Sequence, residues 1–120
     1  VVAGMDGLDE LTLAGPSLVC EAKNGRVEEY ELHPESLGLS LAATGALLGG
    51  DAEKNAALLR AVLKGEPGPC RDVVLLNAAP ALVACGLAAD LKEGIERAAE
   101  AIDSGAALNK LESLIAFTNA

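Results

Sequence analysis

Aromatic residues are nearly missing from these 120 residues: there is no Trp, one Tyr and one Phe, although 51% of positions are hydrophobic. The core therefore has to be assembled from Ala, Leu and Val, and side chains this small favour helices packed at close range. Basic residues are scarce too. Nine Lys and Arg, spread singly, stand against 18 Asp and Glu for a net charge of −9. That balance excludes the footprint of a nucleic-acid binder and of a protein that docks on anionic lipid. No long apolar run is present either, because Asn77 and Pro80 interrupt the stretch from Val73 to Leu87 and leave it too short to span a bilayer. A soluble protein with no membrane partner is the expectation. Cys20, Cys70 and Cys85 are odd in number and match neither a CxxC metal pattern nor a disulfide framework. They read as small buried hydrophobes in a reducing, cytoplasmic compartment.

What is present points to one domain, long enough to bury about two thirds of its unfolded surface but small for a complete metabolic enzyme. The chain opens on Val1 inside an apolar run, with no initiator Met, and reads as a segment of something longer. Its first third has the period of strands. SLVCEAK, residues 17 to 23, and RVEEYELH, residues 26 to 33, flank Asn24-Gly25, and Asn-Gly between alternating segments is a strong hairpin signal. VVAGM and a shorter ELTLAG are expected to add two more strands, with Gly15-Pro16 as punctuation.

After His33-Pro34 the period changes to about 3.6 residues. Asp51 is placed to cap a helix with Ala52, Ala56, Leu59, Val62 and Leu63 on its inner face, closed by Gly65 ahead of Pro67. Residues 71 to 86 are apolar on every side and predict a buried central helix, kinked or split at Pro80. Asp90 and Glu93 form a capping box for a helix that turns Leu91, Ile95, Ala98, Ala99 and Ile102 inward. A last helix uses Leu108, Leu111, Leu114 and Ile115. The fold class is α/β in the mixed sense: a small sheet with a hairpin, packed against about four helices, without a repeated βαβ rhythm. Gly45, Gly49 and Gly50 lack the strand and spacing of a phosphate loop and read as a linker into the Asp51 helix.

The candidate chemistry lies in DGLDE, where Asp6, Asp9 and Glu10 crowd together as a short strand runs out into a loop. Neighbours on a regular strand point to opposite faces, whereas on a loop both Asp9 and Glu10 can turn to one side. Bunched carboxylates repel unless a cation sits between them. Mg²⁺ suits such a place, since one or two carboxylates hold it and a substrate's phosphates supply further ligands. Two other readings stay open on the residues alone: a solvated acidic turn whose acids pair with nearby Lys or Arg, and a general acid/base pair. The latter needs carboxyls roughly 5 to 9 Å apart across the scissile bond, which adjacent residues rarely achieve. Asp6 either bends the chain or lies behind the metal. Asn55 and Asn77 read as residues tying helix to loop, and His33 as a junction residue rather than a base.

The order DGLDE, hairpin, LHPESLGL, GGDAEKNA, VLKGEPGPCRDVVLLNAAPAL, LKEGIERAAEAIDSGAAL resembles the carboxyl-terminal third of the anthranilate phosphoribosyltransferase family. The resemblance runs through nearly all of the chain. It implies transfer of phosphoribosyl from 5-phosphoribosyl 1-diphosphate (PRPP) to anthranilate in tryptophan biosynthesis. It further implies a nucleoside phosphorylase/phosphoribosyltransferase-like fold, with residues 1–120 as the carboxyl-terminal part of its α/β catalytic domain. Carried onto this chain, the family's acidic pair falls on Asp9 and Glu10, which are then expected to hold Mg²⁺ against the diphosphate; the resemblance places no catalytic residue on this chain. The family's GTGGD loop, its anthranilate contacts and the helical domain through which these enzymes dimerise are not found in these residues. A chain of this extent is accordingly expected to be inactive alone and to self-associate. A pyrimidine nucleoside phosphorylase fragment and a non-catalytic acidic association module are the competing readings.

Overall fold

The computed structural model describes Val1–Ala120. Three strands, β1 (Val2–Gly4), β2 (Ser17–Lys23) and β3 (Arg26–Leu32), form an antiparallel sheet in that order. Four α-helices follow: α1 (Ala52–Leu63), α2 (Pro69–Ala84), α3 (Leu91–Asp103) and α4 (Ala106–Thr118). Two short 3₁₀ turns, Pro34–Leu37 and Thr44–Leu47, carry the chain from sheet to helices. The mixed α/β class expected from the sequence is what forms.

The hairpin closes at the Asn24-Gly25 pair, flanked by Lys23 opposite Arg26, and both turn residues have positive φ, 54° and 74°. A two-residue turn with that sign of φ follows the natural twist of its strands, which explains the register from Lys23 opposite Arg26 to Ser17 opposite Leu32. β1 pairs along the other side of β2, Val2 opposite Val19. ELTLAG does not become a strand. Its backbone is engaged by side chains instead: the Leu11 peptide by Asn77, the Thr12 N–H by Ser17 Oγ at 3.0 Å, and the Ala14 N–H by Thr12 Oγ1 at 3.0 Å. Leu11, Thr12 and Leu13 are fully buried all the same.

Two apolar clusters share α2. Leu76 packs with Leu11, Leu13, Val19 and Leu32 beneath the sheet, and Leu75 packs with Val62, Ala98 and Ile102 among the helices. α2 is continuous through Pro80 rather than split, and it is not buried all round, since Val74, Ala81 and Ala84 face solvent. The inner face expected of α1 is likewise mostly open: Val62 is buried, but Ala52, Ala56 and Leu59 are exposed. α3 matches its reading, with Ala98 and Ile102 buried and Leu91, Ile95 and Ala99 half-buried. At its start Asp90 accepts the Glu93 N–H at 2.9 Å, and Glu93 reaches back to accept the Ala89 N–H at 2.7 Å. The helices are tied by a two-pronged Arg71–Asp103 pair at 2.8 and 3.0 Å and by Arg60–Glu112. All three cysteines are free, but none is fully buried and Cys85 is exposed, so the buried-hydrophobe reading fails for them. No helix is long and apolar enough to cross a membrane.

Candidate functional site

β1 stops at Gly4 because the chain folds back on itself there. The Gly4 N–H donates to the Leu8 carbonyl at 2.9 Å and the Gly7 N–H to the Gly4 carbonyl at 3.0 Å, a tight loop that Gly7 permits with φ of 99°. Asp6 is spent on shaping this loop. One of its oxygens accepts the Leu8 N–H at 3.3 Å, and the other accepts the hydroxyls of Thr12 at 2.8 Å and Thr44 at 3.3 Å. The Thr12 hydroxyl, ahead of its other donors, holds the Asp6 carboxyl below the usual carboxylate range. Of the two roles open to Asp6, bending the chain is the one its bonds describe.

Asp9 and Glu10 come next and are exposed. Neither takes part in any ion pair of the chain; the acids that do are Glu31, Glu112, Asp103 and Glu93. Of the solvated acidic-turn reading, the exposure to solvent is met and the pairing with nearby Lys or Arg is not. Immediately after the acids, Leu11 turns inward and its peptide is gripped by Asn77 of α2. The Leu11 N–H donates to Asn77 Oδ1 at 2.9 Å, and Asn77 Nδ2 donates to the Leu11 carbonyl at 2.9 Å.

The donor set therefore offers two free, hard carboxylates and no third. No group of three or more His, Cys, Asp or Glu side chains converges anywhere in the chain. This chemistry fits a Mg²⁺ ion that keeps waters and takes other ligands from phosphate, and it does not fit a closed, all-protein cage. Two hollows, of about 490 and 440 Å³, are lined by the hairpin tip (Glu21 to Glu28) and by Glu35–Gly38 with α3; neither includes Asp9 or Glu10.

The other residues singled out from sequence stand as junctions. Asn55 accepts the Gly50 N–H at 2.8 Å and donates to the Gly50 carbonyl at 3.1 Å, locking the glycine linker onto α1. His33 precedes the first 3₁₀ turn, exposed, with Nε2 3.8 Å from Glu31. The hold of Thr12 and Thr44 on Asp6 was missed, and no signal for it exists in a sequence where Thr44 lies 38 residues away.

The chain belongs to the glycosyl transferase family, a/b domain, whose family model matches residues 1–108. Within that class it is similar to anthranilate phosphoribosyltransferases. It is 58% identical over 120 residues to the enzyme of Rhodopseudomonas palustris (strain HaA2), covering all of this chain and 36% of that protein. The chain thus spans about a third of the length of the curated relatives it matches. Among solved structures it superposes on anthranilate phosphoribosyltransferase from Thermus thermophilus with a TM-score of 0.89 at 45% identity, covering 100% of this chain and 35% of that one. The Saccharomyces cerevisiae enzyme in complex with PRPP and Mg matches 92% of this chain and 32% of its own, at a TM-score of 0.79 and 31% identity.

Proposed function

We propose that the chain is the carboxyl-terminal part of the catalytic α/β domain of an anthranilate phosphoribosyltransferase and supplies the carboxylates that hold Mg²⁺ against the diphosphate of PRPP. The observation that carries this reading is the pair Asp9 and Glu10: free of internal partners, at a strand end, in a chain similar along its whole length to enzymes of that name. The same similarity favours it over the pyrimidine nucleoside phosphorylase alternative and over a purely associative module.

Asp9 and Glu10 would bind the ion, and Asp6 keeps their loop closed. When bound, Mg²⁺ neutralises the charge that develops on the diphosphate as it leaves. Anthranilate binding and the orientation of the ribose fall to the rest of the enzyme, so the 120 residues alone would form no product. We assign the whole protein to the cytoplasm, as a homodimer that takes PRPP and anthranilate.

The test is Asp9→Asn and Glu10→Gln in the full-length enzyme. Each is expected to raise the Mg²⁺ concentration needed for half-maximal rate and to lower turnover about 10-fold or more, by analogy with the loss of a group that stabilises transition-state charge, while leaving the unfolding temperature in place. Unchanged Mg²⁺ dependence and turnover in both variants would make the acidic loop structural.

A further inference from the structure

We propose that Asn77 is the positioning residue of the Asp9–Glu10 pair, fixing from α2 the direction in which the two carboxylates leave their loop. The inference rests on the reading of those acids as holders of Mg²⁺ and adds a residue on another element to the site.

The two acids sit on a short span between two anchors. At one end the Leu8 carbonyl accepts the Gly4 N–H at 2.9 Å and the Leu8 N–H is held by Asp6 at 3.3 Å. At the other end both polar backbone atoms of Leu11 are taken by one carboxamide, Oδ1 accepting and Nδ2 donating, each at 2.9 Å. The remaining Nδ2 proton goes to the Val73 carbonyl at 3.1 Å, one turn back along α2, which fixes the carboxamide plane. A carboxamide carries an acceptor and a donor side by side on one rigid plane, the match for a residue's own N–H and C=O. The Leu11 side chain is 1% exposed and packs with Leu76, the neighbour of Asn77, so apolar contact and hydrogen bonds pin the same residue. Adjacent carboxylates repel and would splay on a loose loop; a span held at both ends meets the ion already arranged, with less ordering left to do on binding.

The experiment measures Mn²⁺ binding to the full-length enzyme in the presence of inorganic diphosphate, by the electron paramagnetic resonance signal of free Mn²⁺. It compares Asn77→Ala and Asn77→Asp with Asp9→Asn and Glu10→Gln. Asn77→Asp retains volume and the acceptor for the Leu11 N–H but loses both donors, so it serves should Asn77→Ala fail to fold. Both Asn77 variants are expected to weaken Mn²⁺ binding about 10- to 100-fold, the usual effect of removing a group that orients a metal ligand, and to speed amide hydrogen exchange across residues 8 to 13. If a folded Asn77→Asp binds Mn²⁺ as the parent does while Asp9→Asn does not, the inference is overturned and the metal reading stands. Weaker binding with unchanged exchange across residues 8 to 13 also overturns it, since the effect would not pass through the loop. Parental binding in both Asp9→Asn and Glu10→Gln removes the metal reading and the inference with it.

Discussion

Gly94 lies in the first half of α3, where exposed helix would gain from an alanine. Replacing Gly with Ala inside a helix stabilises by about 1 kcal/mol on propensity alone. Here the sign reverses, because Gly94 is buried against α2. A Cβ built on it would stand 2.8 Å from the Ala79 carbonyl oxygen and 2.9 Å from both Ala79 Cα and Cβ, inside van der Waals contact and mostly against backbone. Ala79 is 0% exposed and cannot swing aside, so the two helices would have to part. Overpacking of this kind costs about 3 kcal/mol at the upper end of its usual range. Less the propensity gain, Gly94→Ala is expected to destabilise by about 2 kcal/mol, a fall of roughly 3 °C in unfolding temperature for an enzyme about three times the length of this chain. Differential scanning calorimetry of the enzyme checks it, with Gly45→Ala as the control. No atom lies within 4 Å of a Cβ at Gly45 and its φ is not positive, so that change should be neutral or mildly stabilising. An increase in unfolding temperature for Gly94→Ala would refute the close approach of α3 to α2.

Asp90→Ala removes the acceptor for the Glu93 N–H and is expected to lower stability by about 1 kcal/mol; Asp90→Asn, which keeps an acceptor, should recover most of that in the same calorimetric measurement. Stability should also fall in acid. Asp6 is held low by the Thr12 hydroxyl, Glu93 by the Ala89 N–H and then Arg97, and Asp103 by the Arg71 guanidinium. Carboxyls depressed in the folded state stabilise it above their ordinary values of 3.8 and 4.5, and that contribution is lost as pH falls through the lowered values. The unfolding temperature is therefore expected to hold steady above about pH 5 and to decline below it; a flat profile down to about pH 2 would contradict the three contacts.

The hairpin, the α3 capping box and the acidic loop were legible in the sequence because each is written in neighbouring residues: Asn24-Gly25, Asp90 with Glu93, and DGLDE. What was not legible depended on partners far along the chain. ELTLAG alternates like a strand, but its backbone is claimed by Asn77 and Ser17, a tertiary outcome that overrides local pattern. Pro80 does not divide α2, since the packing of Leu75, Leu76 and Ala79 on its two neighbours holds the helix through the missing hydrogen bond. The period of α1 was right, yet periodicity says which residues share a face and not whether anything covers it; Leu59 is 47% exposed. Asp6 was open between bending the chain and lying behind the metal; the sequence did not decide between them, because the two threonines that make it a brace sit six and 38 residues away.

The bond between Leu11 and Asn77 joins residues 66 positions apart, and that distance sets an order of events. At a synthesis rate of about 5 to 20 residues per second, Leu11 leaves the ribosome several seconds before its clamp exists. The hairpin, closing in microseconds, is complete long before then. During that interval the loop bearing Asp9 and Glu10 has a sheet behind it and its local bonds to Gly4, Asp6 and Ser17, but not the hold of Asn77 on Leu11. Its final shape waits for α2 to emerge and dock, so the arrangement of the two acids settles after the sheet that carries them.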